Sequence, residues 1–195
     1  MSNDTLVIAS NNAHKIREIK AILGERFDIV SMAEAGLNME VEETGETFEE
    51  NAVLKARAAA KAAGCRALAD DSGICVDALG GAPGVRSARW SGGGDEANNQ
   101  KLLRELDGKA DRRAHYACAM ALADPDGSVL TAEGRCDGAI GFEPKGRRGF
   151  GYDPLFIVDG YGCMMAELPD DVKNGISHRK RALEALVLKM RERGL

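Results

Sequence analysis

The first thirty residues constrain the fold most. Thr5-Leu6-Val7-Ile8-Ala9 is a short apolar run of strand length, and Ser10-Asn11-Asn12 breaks it. Ala13 to Leu23 follows with Ile16, Ile19 and Leu23 at helical spacing, then Phe27-Asp28-Ile29-Val30 reads as a second strand. A strand, a helix and a strand in succession point to an α/β protein, with helices on both sides of a mixed sheet. The remaining segments suit that plan. Thr47 to Ala63 is a helix, with Thr47 and Glu50 in a capping box, a run of strong helix formers and Gly64 to end it. Asp95 to Leu106 is a further helix. His115 to Ala123 and Ser128 to Cys136 are antiparallel strands about Asp124-Pro125-Asp126-Gly127, and Leu155 to Val158 is another strand. The last helix starts near Ser177, with Leu183, Leu186, Val187 and Met190 on its packing face. Leu79 to Gly94 and Gly138 to Asp153 read as loops. No repeat or interdomain linker interrupts the 195 residues, which fit one domain with a real core.

Composition narrows the function. A net charge of -5 disfavours nonspecific binding to nucleic acid or to anionic membranes, since both reward a basic surface. No apolar stretch reaches the roughly 20 residues that span a bilayer, and the N-terminus lacks the character of a signal peptide. The five cysteines form no CxxC pair, and the three histidines share no metal-ligand spacing. Buried thiols in a reducing cytoplasm are therefore expected.

Chemistry concentrates in a few places. Ala67-Leu68-Ala69 reads as a buried strand ending in Asp70-Asp71-Ser72-Gly73, two carboxylates suited to a hard cation such as magnesium, or equally an Asx-type turn. Ser10 to Lys15 lies between a strand and a helix start, where free amides suit phosphate oxygens, although Asn12 is also a plain helix cap. Glu42-Glu43-Thr44-Gly45-Glu46 is an acidic loop ahead of a helix face carrying Asn51 and Lys55 at i, i+4. Gly149-Phe150-Gly151-Tyr152-Asp153 sets an aromatic ring between glycines. Phe150 there is either a stacking face for a purine or a core side chain, and Asp153 is a candidate acceptor for a base edge. Ser177-His178-Arg179 opens the last helix, with Ser177 a cap.

Taken in order, SNNAHKIREI, EETGETFEENAVLKA, ADDSGICVDALGGAPGVRSAR, GFGYDPLF and ISHRKRAL closely resemble the inosine triphosphate pyrophosphatase family, Ham1-like enzymes acting on non-standard purine nucleotides. At Asn11 bacterial members often carry glycine. The resemblance, from Leu6 to about Leu188, implies an elongated two-lobed α/β protein with a long curved mixed sheet, a central nucleotide cleft, and a homodimer. It implies hydrolysis of ITP, dITP, XTP and dXTP to the monophosphate and pyrophosphate with Mg2+. By motif, Ser10, Asn11, Asn12, Ala13, His14, Lys15 and Lys55 would hold the triphosphate. Glu42 and Asp71 would hold the metal, with Asp71 also the proton acceptor. Ser72, Phe150, Gly151, Tyr152, Asp153, Lys173, His178 and Arg179 would contact the nucleotide. A pyrophosphatase of different base preference is disfavoured by GFGYDP with SHR. A noncatalytic nucleotide binder is disfavoured by the crowd of carboxylates at Glu42, Asp70 and Asp71.

Overall fold

A computed structural model describes residues 4–10, 12–24 and 26–195. The sequence gives β1 (Asp4–Ile8), α1 (Ala13–Leu23), β2 (Phe27–Ser31), α2 (Phe48–Ala63), β3 (Arg66–Val76), α3 (Gly94–Glu105), β4 (Arg113–Ala123), β5 (Val129–Ile140), β6 (Phe156–Val158), α4 (Asp170–Ile176) and α5 (His178–Glu192). One six-stranded mixed sheet runs β2-β1-β3-β4-β5-β6. β1 pairs in parallel with β2 and with β3, whereas β5 and β6 are antiparallel. The expected α/β class, a mixed sheet with flanking helices, is what the chain adopts.

The chain divides into two compact units: 1–71 with 119–133 and 182–195, and 72–118 with 134–181. In the first unit the core beneath α2 is built largely from alanine, while Leu6, Ile8, Ile19, Leu68, Leu183 and Leu186 are among the larger side chains that the unit also buries. Ala52, Ala56, Ala59 and Ala60 of α2 pack with Ala67, Ala69, Ala119, Ala121 and Ala123, together with Val7 and Met32. Small side chains let a helix backbone approach a sheet closely. α2 is fixed at both ends: Thr47 Oγ1 accepts from the Glu50 amide at 3.1 Å, Glu50 accepts from the Thr47 amide at 3.1 Å, and Gly64 ends the helix at φ 67°. The left-handed conformation there is one that favours glycine. The second unit has a core of larger groups, with Tyr116, Tyr152, Phe156, Leu102, Leu106, Leu155 and Met165 among them.

Four segments depart from the sequence reading. β3 does not stop at Ala69 but runs on through Asp70, Asp71, Ser72 and Gly73 to Val76, so the acidic motif is strand and not an Asx turn. Gly73 permits this, since a Cβ there would collide with Ser87 Oγ and the Gly84 carbonyl, and the Ile74 amide donates to Ser87 Oγ at 2.9 Å. The stretch read as loop from Leu79 contains a 3-10 helix at Gly84–Arg89 that carries this Ser87. β5 continues beyond Cys136 to Ile140, because Gly138 lets Phe156 and Ile157 of β6 lie against it. The helix α4, which follows Pro169 and opens with Asp170 and Asp171, was not expected and carries Lys173.

Candidate active site

In the first unit, two long cationic side chains converge on one pair of carboxylates. Asp70 and Asp71 are adjacent in β3, so their side chains leave opposite faces of the strand. Both are buried, at 2% and 7% exposure, because β3 is flanked on both edges and covered on both faces. A buried carboxylate needs a partner. Lys15, one turn into α1, puts Nζ 2.7 Å from Asp70 Oδ2. Lys55 of α2 puts Nζ 2.7 Å from Glu43 Oε1 and 3.7 Å from Asp71 Oδ1. Asn51, one turn earlier in α2, donates from Nδ2 to Asp71 Oδ2 at 3.1 Å and accepts from the Gly45 amide at 2.8 Å. Asn51 thereby ties the acidic loop to the strand.

Burial raises the Asp71 carboxyl above its ordinary range; Lys55 and the Asn51 hydrogen bond oppose that without cancelling it. For Lys55, burial works to lower the ammonium, but Asp71, Glu43 and Asp70 outweigh it and the net shift is upward. Lys55 thus holds its charge more firmly than an ordinary lysine, while Asp71 is more basic than an ordinary carboxylate.

Ser10 and Asn12 precede α1 as read from the sequence. Asn12 caps it, with Oδ1 accepting from the Lys15 amide at 3.4 Å, and Ser10 Oγ accepts from the Asn12 amide at 3.1 Å. Ala13 is exposed at the helix start. Asn11 and the side chain of His14 lie outside the described residues. Glu42 is exposed on the acidic loop, and it is the neighbouring Glu43 that closes on Lys55. Among the described residues no three His, Cys, Asp or Glu side chains are grouped to hold a metal ion.

The second unit gathers the other candidates. Phe150 is 38% exposed, so it does not fill core, and Lys173 Nζ stands 4.9 Å from its ring centroid. Asp153 is buried and accepts from three protein donors: Lys173 Nζ at 2.6 Å, the Phe150 amide at 3.0 Å and the Tyr116 hydroxyl at 3.1 Å. It organises the glycine-rich loop, a role that the expectation of a base-edge acceptor had not foreseen. Gly151 is clamped by α3, its amide donating to Asp95 at 2.7 Å and its carbonyl accepting from Asn99 at 2.9 Å. Tyr152 is buried and donates to the Ser87 carbonyl at 2.9 Å. At the start of α5, Ser177 caps the helix through the Lys180 amide at 3.1 Å. His178 is buried and stacked on Tyr116, and buried Arg179 donates from Nη2 to Ser72 Oγ at 3.3 Å.

Sequence reasoning missed Tyr116, Asp95 and Asn99 altogether. Their only local signal is the alternation of β4 and the i, i+4 spacing on α3. Asn51 was visible on its helix face but without a partner.

The chain is similar to known proteins over nearly its whole length. A dITP/XTP pyrophosphatase of Bacillus subtilis is 50% identical over 185 residues, covering 92% of this chain and 93% of that protein. A dITP/XTP pyrophosphatase of Rhodospirillum centenum is 52% identical over 192 residues, covering 95% and 94%. A solved HAM1 protein from Coxiella burnetii superposes with a TM-score of 0.91 at 41% identity, over 98% of this chain and all of that one. The profile of the Ham1 family matches residues 6–189, and the chain belongs to that family.

Proposed function

We propose that this protein hydrolyses the non-standard purine nucleoside triphosphates ITP, dITP, XTP and dXTP to the monophosphate and pyrophosphate, with magnesium. The observation that carries the proposal is the buried Asp70–Asp71 pair, each carboxylate facing a lysine from a different helix. A polyanion can take over the lysines, and the carboxylates are then left for a cation and a water. Magnesium fits this donor set: hard oxygen ligands are what it prefers, and it is usually held by one or two carboxylates with phosphate oxygens and waters making up the rest. That Lys55 already sits between Glu43 and Asp71 marks the place as one that attracts positive charge. Asp71 and Glu42 would hold the ion, which when bound neutralises charge on the triphosphate.

The chain's own residues account for the remaining steps. Lys15, Lys55 and the start of α1, with Ser10 to His14, bind phosphate oxygens and offset the substrate's charge. Water bonds to the α-phosphorus, the bond from that phosphorus to the bridging oxygen breaks, and pyrophosphate leaves. The water's proton passes to Asp71, whose raised basicity suits it to accept. In the second unit, Phe150 offers a stacking face, and His178, Arg179, Lys173 and Ser72 supply donors suited to a purine with an oxygen at C6. Gly151, Tyr152 and Asp153 hold that face in place.

The proposal extends to a single catalytic domain over 1–195, acting as a cytoplasmic homodimer with a small nucleotide as its partner and without nucleic acid or membrane. Five free cysteines suit a reducing compartment, and no helix among the described residues is long and apolar enough to cross a membrane. The test is pyrophosphate release across a panel of NTPs, with and without magnesium. Release is expected from ITP and XTP only with the metal. Orthophosphate as first product would overturn attack at the α-phosphorus, and full turnover in excess EDTA would overturn the metal.

A further inference from the structure

Tyr116 occupies an unusual position in the second unit. It is 7% exposed in β4 and touches two of the groups proposed to recognise the base, though no candidate function attaches to it. Its hydroxyl donates to Asp153 Oδ1 at 3.1 Å. Its ring lies flat on the His178 imidazole, with centroids 4.9 Å apart and planes 10° from parallel. Phe156 meets the same ring edge-on, with centroids at 4.8 Å and planes at 62°. Through Asp153 the contact reaches further, since that carboxylate also holds the Phe150 amide at 3.0 Å and Lys173 Nζ at 2.6 Å.

A core tyrosine needs only one hydrogen-bond partner and good packing. This one has its single donor spent on an aspartate that fixes the stacking loop, and its face spent on a histidine at the mouth of α5. We propose that Tyr116 is a positioning residue for base selection, setting the Phe150 platform and the His178 imidazole in fixed register without itself touching the nucleotide. The proposal rests on the reading of this unit as the purine-recognising one.

The physical basis is the sensitivity of hydrogen-bond selection to geometry. A site that rejects adenine by presenting donors to the C6 position works only if those donors cannot turn away. The imidazole of His178 is held in plane by the stack. The loop bearing Phe150 is held by a carboxylate whose orientation depends on the phenol. Burial and the nearby Asp153 charge hold the Tyr116 hydroxyl protonated far above neutral pH, so it remains a donor throughout the working range.

Two variants separate hydroxyl from ring. Tyr116→Phe keeps the stack and loses the bond to Asp153; Tyr116→Leu loses both. For each, kcat/KM is measured for ITP and for ATP by pyrophosphate release, with Arg179→Ala measured beside them and thermal unfolding recorded for all. Loss of a buried bond to a charged group corresponds to about a tenfold effect. The ITP-to-ATP ratio is expected to narrow about tenfold in Tyr116→Phe and further in Tyr116→Leu, with ITP losing most and Tm of Tyr116→Phe lowered by roughly 3–10 °C, a variant still folded at the assay temperature. If the ratio stays at its wild-type value in Tyr116→Phe while Arg179→Ala narrows it, Tyr116 is core packing only and the proposal is overturned. If neither variant moves the ratio, base selection lies outside this unit and the underlying reading falls with it. Should Tyr116→Leu fail to fold, the near-isosteric Tyr116→Phe decides alone.

Discussion

In the first unit the side chains packed beneath α2 are mostly alanine, whereas the core of the second is built of rings and long aliphatic chains, and the candidate groups of the two are held in different ways. Beside the alanine core, α2 lies close enough for Asn51 and Lys55 to reach a carboxylate in the neighbouring strand. Its carboxylates are matched by long lysine side chains, Lys15 on Asp70 and Lys55 between Glu43 and Asp71. In the second unit the candidate groups are held by stacking and by buried hydrogen bonds from Tyr116, Tyr152 and Asn99. A site that must accept a polyanion benefits from exchangeable partners, whereas a site that must tell one purine from another benefits from fixed ones.

The sharpest way to break this comparison is at Asp71. Asp71→Asn is nearly isosteric, can still pair with Asn51, and leaves Lys55 its 2.7 Å contact to Glu43. The variant is expected to fold and to lose at least about 100-fold in kcat, the scale for a general base or a major electrostatic element. A folded variant with near-normal kcat would make Asp71 a structural anchor for Lys55 and nothing more.

Next in size is the packing itself. Ala56 is fully buried in the face of α2 against the sheet, one residue from Lys55. Ala56→Leu should cost about 1–3 kcal/mol through overpacking, read as a lower urea midpoint. It should also depress kcat, because pushing α2 outward withdraws Lys55 from Asp71. Lost stability with intact turnover would show that the lysine's reach absorbs the shift, and that the alanine core does not serve the site.

Much of the first unit was legible from local signals. The strand–helix–strand opening, the Thr47–Glu50 capping box and the Gly64 terminus are rules of a few neighbouring residues, and each holds. The run through Asp70 and Asp71 was not legible. Aspartate is depleted in strands, so two in succession read as the end of a strand or as an Asx-type turn. Their burial in β3 depends on Lys15 and Lys55, which stand 55 and 16 residues earlier in the chain, and no local rule counts such partners. The same applies to Asp153. Its sequence neighbours suggested an acceptor for a base edge but gave no sign of Tyr116 and Lys173, one from a strand and one from the unforeseen α4, which both donate to it.

A smaller effect sharpens the comparison from the second unit. Arg179→Ala should narrow the ITP-to-ATP ratio of kcat/KM by about tenfold, the worth of a donor placed against an oxygen. Phe150→Ala should weaken both substrates evenly, since stacking is indifferent to the substituent at C6. If Phe150→Ala changes the ratio as much as Arg179→Ala does, selection is made by the shape of the loop and not by the donors of α5.

The smallest effect concerns what Asp71 does to stability. Its carboxyl is shifted upward in the folded protein, chiefly by burial, so the folded state holds that proton more tightly than the unfolded chain does. As pH rises through the ordinary carboxylate value of about 3.9, the unfolded chain ionises first. The folded state then loses ground from this group until pH passes the raised value, and the loss persists at neutral pH. Asparagine carries no such charge. In EDTA, Asp71→Asn should therefore have a slightly higher urea midpoint than the parent at pH 7.5, with the gap closing toward pH 4. That gain would appear in the variant expected to be nearly inactive, a catalytic group kept at some expense of stability. A parent more stable than the variant at pH 7.5 would mean that the attraction of Lys55 and the Asn51 bond outweigh burial, and that the first unit fixes its carboxylate as firmly as the second fixes Asp153.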